Sequence, residues 1–294
     1  MPSLKDLKGR ITSVKSTQKI TKAKQMVAAA KLRRAQEAAE MAKPYAKRLA
    51  GVIANLTAAA AGGQGPKLLS GTGSDETHLL IVMTAERGLC GGFNANTVKK
   101  AKEEIVRLRG AGKTVKVITI GKKGREQLVR LYKDLLVDHV DTSSARNSDD
   151  LAEIALSVGR DLNERFDAGE FDVATLIYSQ FKNVISQVPT AKQMIPAEPP
   201  EDTPVIDLKG ATYIYEPSEE DILEALLPRY INTLVLSALL ESAAGEQAAS
   251  MTAMDNATNN AGELIDKLSL QYNRARQAQI TKELIEIISG AEAL

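Results

Sequence analysis

Apolar residues recur at alternating steps of three and four near the start of the chain. They read Leu4, Leu7, Ile11, Val14, then Ala28, Leu32, Ala35, Ala39, Ala42, Ala46, Leu49, Ile53 and Leu56, with Gln18, Thr21 and Gln25 holding the same phase between Val14 and Ala28. One unbroken heptad phase predicts a long helix built to pair with another in a coiled coil. The many Ala positions imply a close approach of the two axes. Pro2 and Ser3 suit a helix start, and Asp6 suits the positive end of its dipole. Pro44 is expected to kink the helix or remove one backbone hydrogen bond. Gly62-Gly63-Gln64-Gly65-Pro66 is expected to end the arm. At 1.5 Å per residue such a helix is on the order of 80 Å long.

The pattern returns at the other end. Leu223, Leu226, Tyr230, Thr233, Ser237, Leu240, Ala244, Gln247, Met251, Met254, Thr258, Ala261, Ile265, Leu268, Tyr272 and Ala275 hold one phase. The apolar face then moves to Ile280, Leu284, Ile287 and Ile288, as at a stutter. Pro217 and Ser218 precede this arm, and Glu219, Glu220 and Asp221 fill its first turn.

Charge sharpens the pairing. Residues 1–60 carry 13 Lys and Arg against 3 Asp and Glu, residues 61–218 carry 20 against 22, and residues 219–294 carry 5 against 12. The net +1 therefore hides a basic first arm and an acidic last one. The expected closure is an antiparallel two-stranded coiled coil of the chain's two ends, held partly by their opposite charge, in preference to a bundle of shorter broken helices. Gln18, Thr21 and Gln25 weaken an ordinary seam, so they set register or mark where another protein touches the coil. Ile20, Met26 and Val27 lie off the seam and fit a second contact surface.

The middle of the chain changes period. Residues 77–84, 114–120, 135–140 and 172–179 are short apolar runs rich in β-branched residues, and a fifth strand is expected within 184–194. Helical patterns near 94–110, 122–132 and 149–168 separate the first four. Such alternation predicts a Rossmann-like α/β domain with a mainly parallel sheet and helices on its faces. The expected organisation is a coiled-coil helix at 1–60, a linker at 61–76, the α/β domain at 77–195, a Pro-rich linker at 196–217 and a second coiled-coil helix at 218–294. The Pro-rich linker carries a short edge-like strand at Tyr213-Ile214-Tyr215.

Candidate chemistry is sparse. The single Cys90 excludes an internal disulfide framework and a Cys-rich zinc site, and His78 and His139 cannot make a three-His metal site. Aromatic residues are only 4% with no Trp, which argues against a base-stacking platform. No uninterrupted apolar run reaches about 18 residues, so no membrane-spanning helix is expected. The basic first helix reads as mature structure rather than a transit peptide, so the protein is expected to stay where it is made. The Gly-rich loop Glu86–Asn94 resembles a phosphate cradle in position but matches neither G-x-G-x-x-G nor the Walker pattern, so a tight turn with a helix cap is the preferred reading. His78 and His139 read as structural, and Asp149-Asp150 as a helix start. No catalytic residue, cofactor site or metal site is expected.

Several segments are more specific than any of these features alone. SVKSTQKITKAKQMVAAAKLRRA (13–35), ERGLCGGFNAN (86–96), SQVPT (186–190) and EQAASMTAMDNATNNAGELIDKLSLQYNRARQAQITKELIEIISGA (246–291) together resemble the gamma-subunit family of F-type ATP synthases, over nearly the whole chain. The resemblance implies a central rotor shaft that couples proton flow to ATP synthesis and is not itself catalytic. It implies a coil inside a head of three alpha and three beta subunits, and an α/β domain near the epsilon subunit and the c-ring. It also implies that Arg276, Gln277, Thr281 and Glu283 contact the beta subunits, and that Lys19, Lys22 and Lys24 meet acidic loops there. Two positions depart from the family pattern: Lys24 stands where Met is common, and Ser250 where Arg is common. One charge is gained and one lost, so the two are expected to compensate at a single contact. The lone cysteine cannot form the inserted pair of chloroplast members, and with the first helix read as mature structure rather than a cleavable presequence, the expected origin is bacterial, at the cytoplasmic face of the inner membrane.

Two other readings are open on the residues alone. A basic coiled coil that binds nucleic acid or anionic lipid would show steep salt dependence, and the acidic last arm argues against it. An α/β nucleotide-binding enzyme with helical arms would bind nucleotide by itself, and the missing phosphate-loop motif argues against that.

Overall fold

The computed structural model describes residues 3–59, 65–198, 216 and 218–292. Pro2, the Gly62–Gln64 stretch, Pro217, most of the Pro-rich linker and the strand expected at Tyr213–Tyr215 lie outside them. In chain order the elements are α1 (Leu4–Ala59), α2 (Lys67–Ser70), β1 (Thr77–Met83), α3 (Phe93–Gly110), β2 (Thr114–Ile120), α4 (Lys122–Tyr132), β3 (Leu136–Val140), α5 (Ser148–Asp167), β4 (Val173–Phe181), β5 (Gln187–Ile195) and α6 (Glu219–Glu292). They form two compact units, one of Met1–Ala29 with Ser250–Leu294, the other of Ala30–Ala249.

The first unit is the two-stranded coil. Between Ser3 and Ala29 the residues that are not exposed are Leu4, Leu7, Ile11, Val14, Gln18, Thr21, Gln25 and Ala28, which is the heptad seam and nothing else. On α6 the deepest positions are Met254, Ala261 and Leu268, each one heptad from the next. The helices run antiparallel: Gln25 Nε2 donates to Asp255 Oδ1 at 2.7 Å, Thr258 Oγ1 donates to Thr21 Oγ1 at 2.8 Å, and Gln18 reaches Thr258 and Gly262. Ser3 and Asp6 cap α1 reciprocally, each side chain accepting the other's backbone N–H at 3.2 Å.

Two features of this unit go beyond what the pattern of the sequence shows. Opposite charge does not act here through close ion pairs: among the described residues none joins α1 to α6 in this unit. The basic side chains of α1 project off the seam, and polar contacts across it, one of them to the Asp255 carboxylate, stand where ion pairs would. The shifted face at Ile280, Leu284, Ile287 and Ile288 also finds no helix against it, and all four are exposed. The register places Leu4 level with about residue 276, so α1 begins too late to cover that face.

The second unit is built on a five-stranded sheet of order β3-β2-β1-β4-β5, parallel except for β5, which runs antiparallel to β4. Strand β1 is buried on both faces, so its apolar run alternates between two cores rather than between core and solvent. Leu80 and Val82 join Val98, Ala101, Ile105 and Leu108 of α3 and Leu128 of α4. Leu79, Ile81 and Met83 join Ala155, Val158, Leu162 and Phe166 of α5, Leu49, Ile53 and Leu56 of α1, and Leu223, Leu227, Tyr230, Ile231 and Val235 of α6. Helix α5 starts at a capping box of Asn147 and Asp150, which accounts for the Asp149-Asp150 pair.

This second face changes how α6 must be read. Heptad spacing predicts one buried stripe, but here α6 also buries Leu227, Ile231, Val235, Ala238 and Leu239, because it packs against the sheet layer as well. The same packing explains why one window of α6 reaches a mean hydropathy of 1.3, enough by composition alone to cross a bilayer. The expectation of no such helix looked only for an uninterrupted apolar run. A helix that buries two faces in protein passes a hydropathy test for the same reason a spanning helix does. Pro44 and Pro228 both lie inside helices that run on through them, each at the loss of one backbone hydrogen bond.

Candidate functional site

The surfaces able to touch other proteins follow from what the seam excludes. With Gln18, Thr21 and Gln25 turned into the coil, Lys19, Lys22 and Lys24 are exposed and form no ion pair among the described residues. Beside them Ile20 is 57% exposed, Met26 66% and Val27 57%, so cationic and apolar groups share one outer face. Ser250 lies half-buried on α6 and already has an interaction. The register sets Lys24 level with about residue 256, so Ser250 lies roughly 9 Å along the axis from it.

The other four candidates stand apart from this group. Arg276 lies about 20 residues, roughly 30 Å, beyond the level of Lys24. Arg276, Gln277, Thr281 and Glu283 are all exposed. Thr281 Oγ1 donates to the Gln277 carbonyl at 3.0 Å, and Glu283 accepts from Gln279 Nε2 at 2.9 Å. These contacts lie within one helix and are exposed, so a partner can exchange them at small cost. The candidate residues thus fall into two separate exposed groups rather than one cluster.

The Gly-rich loop has a different use from a phosphate cradle. Gly91 takes φ 55° and Leu89 φ 70°, turning the chain sharply after β1. Asn94 then ties the loop to itself, its Oδ1 accepting from the Ala85 N–H at 2.9 Å and its Nδ2 donating to Cys90 Sγ at 3.2 Å. Phe93 is thereby placed against Gly245 of α6, where a Cβ would stand 3.1 Å from the ring. Gly121, at φ 88°, lets the end of β2 press on the Thr84 carbonyl, and the Gly124 N–H donates to Thr84 Oγ1 at 2.7 Å. Of the loop's backbone donors, the Ala85 N–H is taken by Asn94 and the Phe93 N–H by the Cys90 carbonyl. Cys90 is 2% exposed, and burial, then the charge of Glu246, pushes its thiol up. His78 Nε2 lies 2.7 Å from Asp75 Oδ1, and His139 Nδ1 contacts Thr119 Oγ1 at 3.0 Å.

Periodicity did not reveal a cleft of about 770 Å³ at the carboxyl ends of β1 and β3, roofed by α1 and α6 within the second unit. Lys31 and Arg34 of α1, Glu86 and Arg87 of the loop after β1, Arg146 ahead of α5, and Glu246 of α6 all line it. They come from four separate stretches of chain, so no local spacing could have grouped them. Glu86 is held by Thr142, through its N–H at 2.7 Å and its Oγ1 at 3.0 Å. Glu246 is pushed up to about 7, first by burial; Lys31 and Arg87 partly oppose this, and Glu86 adds to it.

Comparison with known proteins decides the family. The sequence profile described as ATP synthase matches residues 3–294. An ATP synthase gamma chain of Hyphomonas neptunium is 70% identical over the full length of both chains. The chain belongs to the ATP synthase gamma-chain family. A gamma chain of Paracoccus denitrificans is 61% identical, again over both full lengths. Among solved structures, one titled as the central stalk and c-ring of Tetrahymena thermophila mitochondrial ATP synthase matches with a TM-score of 0.59 at 27% identity, covering 81% of this chain and 99% of that one. A chain of the Euglena gracilis mitochondrial enzyme shares the fold with a TM-score of 0.67 at 20% identity, covering 99% and 94%. As a gamma chain the protein is a rotor-shaft subunit of the ATP synthase complex.

Proposed function

We propose that this gamma chain turns inside a head of three alpha and three beta subunits, coupling proton flow through the c-ring to ATP synthesis and the reverse, while catalysing nothing itself. A ring of alike catalytic subunits has no internal reason to hold different states. An asymmetric shaft presents a different face to each and biases each between open and closed, which is allosteric coupling between a mechanical and a catalytic site. The observation that carries this reading is the coil itself. Its seam is fully used by α1 and α6, yet Ile280, Leu284, Ile285, Ile287 and Ile288 stay exposed on the α6 end that α1 does not reach. A helix with that much exposed apolar surface needs surrounding protein.

Lys19, Lys22 and Lys24 are the groups proposed to meet acidic loops of the beta subunits, and Arg276, Gln277, Thr281 and Glu283 to bridge to polar loops nearer the tip. A guanidinium fork, an amide, a hydroxyl and a carboxylate supply both donors and acceptors there. Lys24 and Ser250 are proposed to compensate each other at one contact, with a partner segment spanning the roughly 9 Å between their levels. The α/β unit is assigned to the epsilon subunit and the c-ring, and the complex to the cytoplasmic face of a bacterial inner membrane. Native mass spectrometry of the tagged chain from its own cells, with ATPase assayed on the same sample, tests the reading. Recovery with three copies each of two larger partners, and no ATPase in the lone chain, is the expected outcome. Recovery of the chain alone or with nucleic acid would overturn it.

A further inference from the structure

Helix α6 meets the rest of the second unit through two close approaches, each made at a glycine. The first is to α5. Gly159 is buried there, and a Cβ on it would overlap Asn232 Oδ1 of α6. That oxygen is buried and has no hydrogen-bond partner among the described residues. It lies within reach of the glycine's Cα–H, a weak contact, so Asn232 sits as a tongue in a notch. The second approach is to the loop after β1, and here the notch is on α6. A Cβ on the buried Gly245 would stand 3.1 Å from the Phe93 ring and 3.4 Å from Gln187 Cγ of β5. Phe93 is itself buried, in a loop tied down by the Asn94 hydrogen bonds. Asn232 and Gly245 lie roughly 20 Å apart along α6 and about 140° apart around it.

We propose that Asn232 in the Gly159 notch and Phe93 in the Gly245 notch are positioning residues that key α6 to the α/β domain, so that torque passes between them without slip. The inference rests on the reading of the chain as a rotor shaft. Apolar packing of α6 on the sheet layer is non-directional, so it seats the helix without keying its rotation as a side chain in a notch does. One interlock alone leaves a single point about which α6 can pivot. Two interlocks, far apart along the helix and on different faces, oppose both sliding along its axis and turning about it. The orphaned Asn232 oxygen fits this use. A buried amide oxygen without a partner costs stability, and here its place is the one that fills the notch.

The test uses the whole ATP synthase in inverted membrane vesicles from its own cells, with Asn232→Ala, Phe93→Ala or both. Proton pumping is read per ATP hydrolysed, and hydrolysis is read again with a protonophore, which removes the load. One interlock still blocks rotation when the other is lost. Each single variant should therefore keep pumping per ATP within about twofold of wild type, and the double should fall about threefold or more beyond the product of the singles. Melting shifts of the full chain should stay additive, because the two sites are too far apart to couple through packing. Unloaded hydrolysis should survive in the double variant, since slip matters only under torque. Gly159→Ala tests the notch directly: it should cripple pumping or assembly, and Asn232→Ala in the same chain should restore it. This pair decides the matter even where the double variant does not assemble. Pumping losses that simply multiply, losses that track the melting shifts, or a Gly159→Ala variant indistinguishable from wild type each overturn the proposal. Failure of the shaft reading shows separately, as wild-type vesicles that hydrolyse ATP without pumping.

Discussion

Replacing Glu246 by Gln removes a charge that the folded protein holds at a loss. Burial against α1 and the loop after β1 strips its water, and Glu86 repels it, more than Lys31 and Arg87 recover. Its folded value of about 7 therefore stands above the ordinary 4.5. A carboxyl raised in this way binds more protons folded than unfolded between those two values, so its contribution to stability is present below 4.5 and is lost as pH rises through 7. At about 1.4 kcal/mol per unit, the full penalty above pH 7 is about 3 kcal/mol. Gln keeps the shape and the amide's polar contacts without the charge. Urea unfolding of the full chain should find Glu246→Gln more stable than wild type by about 3 kcal/mol at pH 8, and by less than about 1 kcal/mol at pH 5. An equal gain at both pH values would mean that packing, not ionisation, is responsible. No gain at pH 8 would refute the argument, since it would show that Lys31 and Arg87 compensate the buried charge in full.

Other consequences are simpler to state. Gly245→Val should destabilise the second unit by about 1–3 kcal/mol in thermal melts, because its side chain meets the Phe93 ring, where a Cβ already stands 3.1 Å away. Gly9→Ala, with nothing within 4 Å of the new Cβ, should instead stabilise by about 0.5–1 kcal/mol, and an opposite sign for either would refute the packing argument. Asn147→Ala should lose about 1 kcal/mol through the capping box of α5, with Asn147→Ser retaining most of it in the same melts. Cys90, buried and raised by burial, should resist a thiol reagent at neutral pH until denaturant is added; rapid labelling of the native chain would contradict its placement. Lys24→Met, Ser250→Arg and the double variant should give non-additive effects on coupled ATP synthesis, whereas additivity would separate the two positions.

Local periodicity carried much of the architecture. The seam of α1 was readable residue by residue because a helix that pairs along one stripe must repeat its apolar side chains at that stripe, and the burial between Leu4 and Ala28 follows it without exception. The strands were readable for a related reason: short β-branched runs between helical patterns leave few alternatives to a covered parallel sheet. Even Asp149-Asp150 was legible, since caps act within one turn. The proposed contact residues came only through likeness to a family, because an exposed Lys or Gln serving a partner has no spacing that distinguishes it from a solvated one.

Tertiary structure decided what depends on groups far apart in the chain. The second buried face of α6 exists because the sheet lies against it, and a heptad pattern records one partner, not two. The absence of ion pairs across the described coil could not be read from net charge, because charge summed over an arm does not say which side chains face each other. The cleft belongs to the same class. Lys31, Arg87, Arg146 and Glu246 meet only when two helices and two loops are folded together, and the proton affinity of Glu246 is set by burial that no stretch of sequence contains by itself.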